Sequence, residues 1–209
     1  MGNFLLDLFF PPKCVFCGKL LQKHEKDVCL DCLYNLPETD KTRKIARADA
    51  CVAPLRYTGC VREAIMRYKF SGRSYYAPTF GRLLCRRLGE TDAQLVTWIP
   101  VSRRRYFSRG YDQSQLIARE VAAQFGVPCV RTLQKRHTKK QSQTANAAER
   151  IANIAGAFRP YRADAFANKR ILLIDDVCTT GATMTEAVRV LKTAGAEHVM
   201  CAALAITEE

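Results

Sequence analysis

The 209-residue chain reads as an α/β protein, a parallel sheet flanked by helices, with a small four-cysteine module at its N-terminus. Three observations predict this. The apolar run Ile171-Leu-Leu-Ile174 meets Asp175 and Asp176, and a small polar turn and a helix-like segment follow. A second succession of strand, polar loop and helix lies within residues 95–125. Two Cys-x-x-Cys knuckles fall in the first forty residues. A content of 48% hydrophobic and 25% charged residues is that of an ordinary globular protein and argues against a largely disordered chain.

The knuckles, Cys14-Val-Phe-Cys17 and Cys29-Leu-Asp-Cys32, are separated by eleven residues. Four thiolates in two such pairs suit a tetrahedral Zn²⁺ site, and with all four positions filled by sulfur the ion is structural. Redox dithiols or disulfides are the rival readings; a dithiol motif needs only one knuckle, and disulfides are rare in the cytosol. His24, between the knuckles, is expected as a loop residue. Residues 1–40 thus form a zinc-binding module and residues 41–209 the main domain, with the polar stretch 37–50 as a linker. No apolar stretch is long enough to cross a bilayer, and segment 4–10 is interrupted by Asp7 and ended by Pro11-Pro12 without a cleavage pattern. The protein is expected in the cytoplasm, without a transmembrane segment.

Further along, residues 51–55 predict a short strand and residues 62–70 an amphipathic helix. Residues 78–88 predict a second helix with Arg82, Arg86 and Arg87 near one exposed side. Residues 95–101 form a buried strand, and 102–114 a long basic turn before a helix closed by Gly126. In that turn Arg103, Arg104, Arg105 and Arg109 alternate with Tyr106, Phe107 and Tyr111, cations beside stacking faces, a pattern that suits single-stranded nucleic acid. Residues 128–133 predict a strand, and the polar stretch 134–153, with Lys139 and Lys140, a flap over the site described next. A return strand begins at 157–158, and 198–206 is the last strand.

Charge is uneven. Of a net +13, residues 41–100 carry twelve Lys and Arg against four Asp and Glu, and residues 101–150 eleven against three. The two ends are slightly acidic. A basic middle attracts a diphosphate or a nucleic-acid backbone, or it is only a solvated face.

The run 171–174 does not alternate, so it is a strand buried on both faces. Thr183 and Glu186 have capping-box spacing, which predicts a helix start there, and Gly195 is placed to close the helix as its C′ residue. Strand, polar turn and helix is where open α/β sheets bind ligands. Backbone N–H groups of Thr179, Thr180, Gly181, Ala182 and Thr183 are placed for a phosphate, and Asp175 and Asp176 for sugar hydroxyls or Mg²⁺. Cys178 lies inside the turn with no His nearby in sequence and is not expected to act as a nucleophile.

This loop resembles the phosphoribosyl-diphosphate (PRPP) loop of type I phosphoribosyltransferases. Together with Leu5-Leu6-Asp7, Tyr57-x-Gly59, Lys69-Phe70-x-Gly72-Arg73, Arg109-Gly-Tyr-Asp-Gln-Ser114, Thr138, Gln141, Arg150, Asn153 and Gly156-Ala-Phe158, it makes the chain similar to the ComF family of competence-associated proteins. That family usually has Asn where Asp112 stands and Leu near Thr144. The resemblance implies a phosphoribosyltransferase type I-like fold joined to a zinc module, PRPP bound with Mg²⁺, and a part in natural transformation. Single-stranded DNA and other competence or DNA-processing proteins are the implied partners, with Arg103, Arg105, Arg109, Lys139 and Lys140 at the diphosphate or the nucleic acid. It does not imply catalysis: in purine-salvage relatives an Asp serves as the base where Thr179 stands, and Thr takes up no proton near neutral pH. The alternative is an active phosphoribosyltransferase on an unidentified small acceptor.

Overall fold

The computed structural model describes residues 11–136 and 154–207. The first knuckle is a tight loop in which Gly18 N–H returns to the Cys14 carbonyl at 2.9 Å, and the second runs into a short helix, α1 (Leu30–Asn35). The stretch expected to be a linker is built into the fold. It carries β1 (Thr42–Arg43), antiparallel to β2 (Cys51–Val52), and buries Ile45.

The predicted strand at 51–55 is present but interrupted. β2 and β3 (Leu55–Arg56) pair with β8 (His198–Ile206) in one continuous parallel register, Cys51 opposite Cys201 and Leu55 opposite Ala205. Pro54 lies between them and has no N–H to give to the ladder. Next come α2 (Gly59–Phe70) and α3 (Ala77–Leu88), the latter with Pro78 in its first turn, where a missing N–H costs nothing. β4 (Leu95–Trp98) is buried throughout. The expected long basic turn contains a helix, α4 (Arg103–Arg109), capped by the Ser102 hydroxyl and closed by Gly110 in the left-handed region. α5 (Gln113–Phe125) follows.

Residues 128–130 cross beside β4 through a single parallel bridge, Cys129 to Val96, and the strand proper begins later, as β5 (Leu133–Lys135). It pairs antiparallel with β6 (Phe158–Pro160), so the return strand forms a separate ribbon outside the main sheet. Part of the expected flap is therefore strand. Residues 137–153, with Thr138, Lys139, Lys140, Gln141, Arg150 and Asn153, lie outside the described residues, as does Leu5-Leu6-Asp7. β7 (Arg170–Cys178) runs past the acid pair before α6 (Ala182–Thr193) begins. As expected, Gly195 follows α6 with φ 99°, and the chain enters β8.

The main sheet has the order β1-β2-β8-β7-β4, parallel except for β1. Central β7 sends Leu172 and Ile174 to one face and Ile171 and Leu173 to the other. The first face is covered by α2, α3 and α5 through Ile65, Phe80, Leu84, Ile117 and Val121, and the second by α6 through Met184, Ala187, Val188 and Leu191. The cysteine module belongs to the first face. Phe16 is fully buried with its ring 6.1 Å from Phe80, and the Arg67 guanidinium donates to the carbonyls of Val15 (3.1 Å) and Phe16 (2.6 Å). The arginines of α3 are not a free basic face either. Arg82 pairs with Asp27, Arg86 with Glu38, and Arg87 donates to the carbonyls of Ala53 and Asp40. They fasten the N-terminal region to the helix layer.

Candidate functional site

The four knuckle sulfurs, Cys14, Cys17, Cys29 and Cys32, lie within 4.8 Å of one another. A tetrahedron with Zn–S of about 2.3 Å places its sulfurs ~3.8 Å apart, and the Cys17 to Cys29 separation of 3.5 Å is close to that. Although burial opposes it, N–H groups of Cys17, Cys29 and Phe16 bring the Cys14 thiol down to about 7, which favours a ligating thiolate. The donor set and its spacing fit structural zinc.

A second constellation forms at the C-terminal end of β7. Asp175 and Asp176 are followed by the turn 179–181, and Gly181, with φ 78°, is the N-cap of α6. The capping box expected from Thr183 and Glu186 does not form, because the helix starts two residues earlier and Thr183 is already inside its first turn. Glu186 instead accepts from Gly156 N–H at 2.8 Å and pairs with Arg189 at 2.7 Å. Thr179 and Thr180 are exposed, the Ala182 N–H donates to Thr180 Oγ1 at 3.4 Å, and the first N–H groups of a helix have no partner within the helix. A Cβ at Gly181 would stand 2.9 Å from the tip of Ile45 and 3.2 Å from Arg43 Cγ. Ile45 can give way, whereas the left-handed backbone cannot. Gly181→Ala is therefore expected to cost about 1–2 kcal/mol, measured as a lowered urea midpoint with unchanged slope.

Each acid has its own protein partner. Lys69 Nζ, from the last turn of α2, lies 2.7 Å from Asp176 Oδ1, with both side chains largely buried. Asp175 Oδ1 accepts from Ser114 Oγ and from Asp176 N–H, both at 2.8 Å. Burial pushes the Asp175 carboxyl up to about 7 and the Asp176 charge adds to the shift, against the opposing pull of Lys69 and Ser114. Neither Oδ2 has a protein donor among the described residues.

The motif 109–114 supports this end of the site. Arg109 donates to Gln113 Oε1 at 2.8 Å and stacks over Phe70 at 4.6 Å, and Tyr111 donates to the Tyr68 carbonyl. Asp112, the acid in the basic loop, is the N-cap of α5. It accepts from Gln115 N–H (3.2 Å) and Val101 N–H (3.0 Å), and its charge is buried among donors. Burial and the neighbouring Arg105 charge hold Arg109 and Lys135 below their ordinary values, against the opposing pull of Asp176 on Arg109 and of Asp175 on Lys135. Arg103 lines a cleft together with Lys135, Arg136 and Arg159. Cys178 is buried, and a hydrogen bond from the Cys51 thiol lowers it below its ordinary value.

The acid pair and the threonine turn stand together at the end of β7, and Arg105 and Arg109 lie one turn apart on α4. Lys69, Ser114 and Lys135 had been assigned no role at the site. Lys69 and Ser114 stand in the quoted motifs, but only the fold shows which carboxylate each one meets.

Comparison with known proteins agrees with this architecture. Residues 112–208 match the phosphoribosyl transferase domain family and residues 5–46 the double zinc ribbon domain family. Competence protein F of Haemophilus influenzae is 29% identical over 206 residues, covering 93% of this chain and 84% of its own. Competence protein ComFC of Streptococcus pneumoniae is 26% identical over 219 residues, covering 90% and 96%. DNA utilization protein YhgH of Escherichia coli K12 is 28% identical over 200 residues, covering 89% and 80%. With its four-cysteine module packed on a phosphoribosyltransferase-type domain, the chain is similar along about nine-tenths of its length to the competence proteins F and ComFC.

Proposed function

We propose that this protein binds PRPP with Mg²⁺ at the acid pair and threonine turn, binds single-stranded DNA through its basic middle, and serves DNA uptake in the cytoplasm. The observation that carries the reading is the acid pair at the end of β7, paired with Lys69, within electrostatic reach of Arg109 and Lys135, and followed by a helix start. Carboxylates suit sugar hydroxyls and a hard cation, and the cations and first-turn N–H groups suit a diphosphate. Mg²⁺, when bound, would neutralise diphosphate charge, and the open Oδ2 atoms of Asp175 and Asp176 are the oxygens that would hold it. The names of the relatives, two for competence and one for DNA utilization, favour DNA handling. No helix among the described residues is long and apolar enough to cross a membrane, which agrees with a cytoplasmic role. Turnover forms no part of the proposal, since Thr179 offers no base.

Binding of a fluorescent single-stranded oligonucleotide tests the DNA arm. With about four phosphate contacts, affinity should fall roughly fiftyfold between about 50 and 200 mM salt as counterions are released. Affinity indifferent to salt, or no binding at low salt, would refute it.

A further inference from the structure

Helix α4 has two faces. Arg105 and Arg109 are one turn apart, and on their side Arg109 stacks on Phe70, bonds Gln113 and feels the Asp176 charge. Arg103 and Phe107, one turn apart, lie about 160° around the helix from Arg105, and Tyr106 about 100°. They line a separate cavity of about 330 Å³ with Trp98, Gln115 and Arg131. That is the lower end of the size range for small-ligand sites.

The chemistry of this cavity is aromatic and cationic. Phe107 is 81% exposed and Tyr106 46%, and their rings meet edge to face at 6.1 Å. An exposed Phe beside an exposed Tyr on a helix with no buried residue adds nothing to the core. Arg131 stacks over Tyr161 at 4.9 Å, which extends the aromatic surface. The side-chain amide of Gln115 has no partner among the described residues and can both donate to and accept from a base edge. The one carboxylate in the lining, Asp112, is already engaged by two backbone N–H groups.

A second cleft of about 370 Å³ adjoins the first, sharing Arg103 and Gln134. Its other lining residues are Ser102, Lys135, Arg136 and Arg159, with no acid among them. Gln134 Oε1 accepts from the Arg159 guanidinium at 2.9 and 3.1 Å and so fixes its plane. A flat aromatic pocket beside an acid-free basic cleft is complementary to a base with its phosphate. PRPP has no base, so the aromatic pocket is not explained by that ligand. In a duplex the bases are stacked inside, which leaves a single strand as the partner that can offer one.

We propose that the cavity on the far side of α4 is a nucleobase subsite for single-stranded DNA, one base packing on Tyr106 and Phe107 while the adjoining phosphate lies in the cleft of Arg103, Arg136 and Arg159. This rests on the reading that the protein binds single strands, and it adds where and how.

Trp98 is the only tryptophan and lines the cavity, so its fluorescence reports on this subsite when PRPP is left out. Titration with oligothymidylate should quench Trp98, and an abasic strand of equal length should bind without quenching. The double variant Tyr106→Ala, Phe107→Ala, which removes only exposed rings, should bind oligothymidylate roughly ten- to a hundredfold more weakly. It should bind the abasic strand as the parent does. Free thymidine monophosphate should quench only at far higher concentration, and equal potency would make the site one for free nucleotides and overturn the strand proposal. Strand binding with Trp98 unchanged, or undiminished in the double variant, overturns the subsite and leaves the DNA reading intact. Absence of any strand binding at low salt overturns both.

Discussion

Replacing Cys32 by serine is expected to abolish stoichiometric metal binding and to unfold the N-terminal module. Structural zinc contributes about 10–16 kcal/mol to isolated zinc modules, more than the whole stability of a typical domain, which is about 5–15 kcal/mol. The effect does not stop at the ribbon. Val15, Phe16, Cys29 and Leu36 belong to the same buried cluster as Tyr68, Phe80 and Leu84, so an unfolded module exposes one face of the helix layer. Metal content should fall from one ion per chain to none, with a thermal transition lowered by more than ten degrees or lost, and a strong chelator should reproduce this in the parent. A Cys32→Ser protein that kept its metal and its transition would show that the four thiols do not act as a ligand set.

Asp175→Asn and Asp176→Asn are expected to act in opposite directions on the stability of the unliganded protein. The folded-state pKa of Asp175, about 7, lies above the ordinary value of 3.8. Between these values the folded chain holds a proton that the unfolded chain has lost, so this group's contribution to stability declines as pH rises through that window. Asn removes the cost of the buried charge and still accepts from Ser114. Asp175→Asn should therefore be more stable than the parent at pH 8, by about 2–4 kcal/mol, and indistinguishable from it near pH 4. Asp176→Asn strips Lys69 of its counter-charge in a largely buried place and should cost about 2 kcal/mol at pH 8. Both should lose PRPP affinity. Thermal unfolding at the two pH values, with and without PRPP and Mg²⁺, checks all of this. Equal destabilisation by both substitutions at pH 8 would sink the account of Asp175.

What the sequence made legible, and what it hid, follow from the physics of each element. β4, β7 and β8 were readable because strands buried on both faces must be apolar without alternation, and 171–174 is such a run. The end of β7 was hidden because Asp175 and Asp176 look like a strand terminus, yet the ladder to β8 continues through Val177 and Cys178. α4 buries no residue and so has no apolar stripe; its only local signals are Ser102 at one end and Gly110 at the other. The segment 37–50 is polar because its strand is an edge, and Ile45, which packs against the Gly181 turn, is a single apolar residue in a charged stretch. The acid pair and its turn were legible as a contiguous motif. Lys69 and Ser114 reach the acids from other elements, and no local pattern encodes a contact closed by the fold.

One helix ties the two chemistries of the molecule together. Arg67 and Lys69 are two residues apart on α2, which points them to opposite sides; one grips the carbonyls behind the first knuckle and the other grips Asp176. The helix acts as a yoke, its hold on the carboxylate set with reference to the metal-bearing loop. Thermodynamic coupling across such a yoke is reciprocal. Whatever factor metal loss takes from affinity at the acid pair, occupation of the acid pair returns to metal retention.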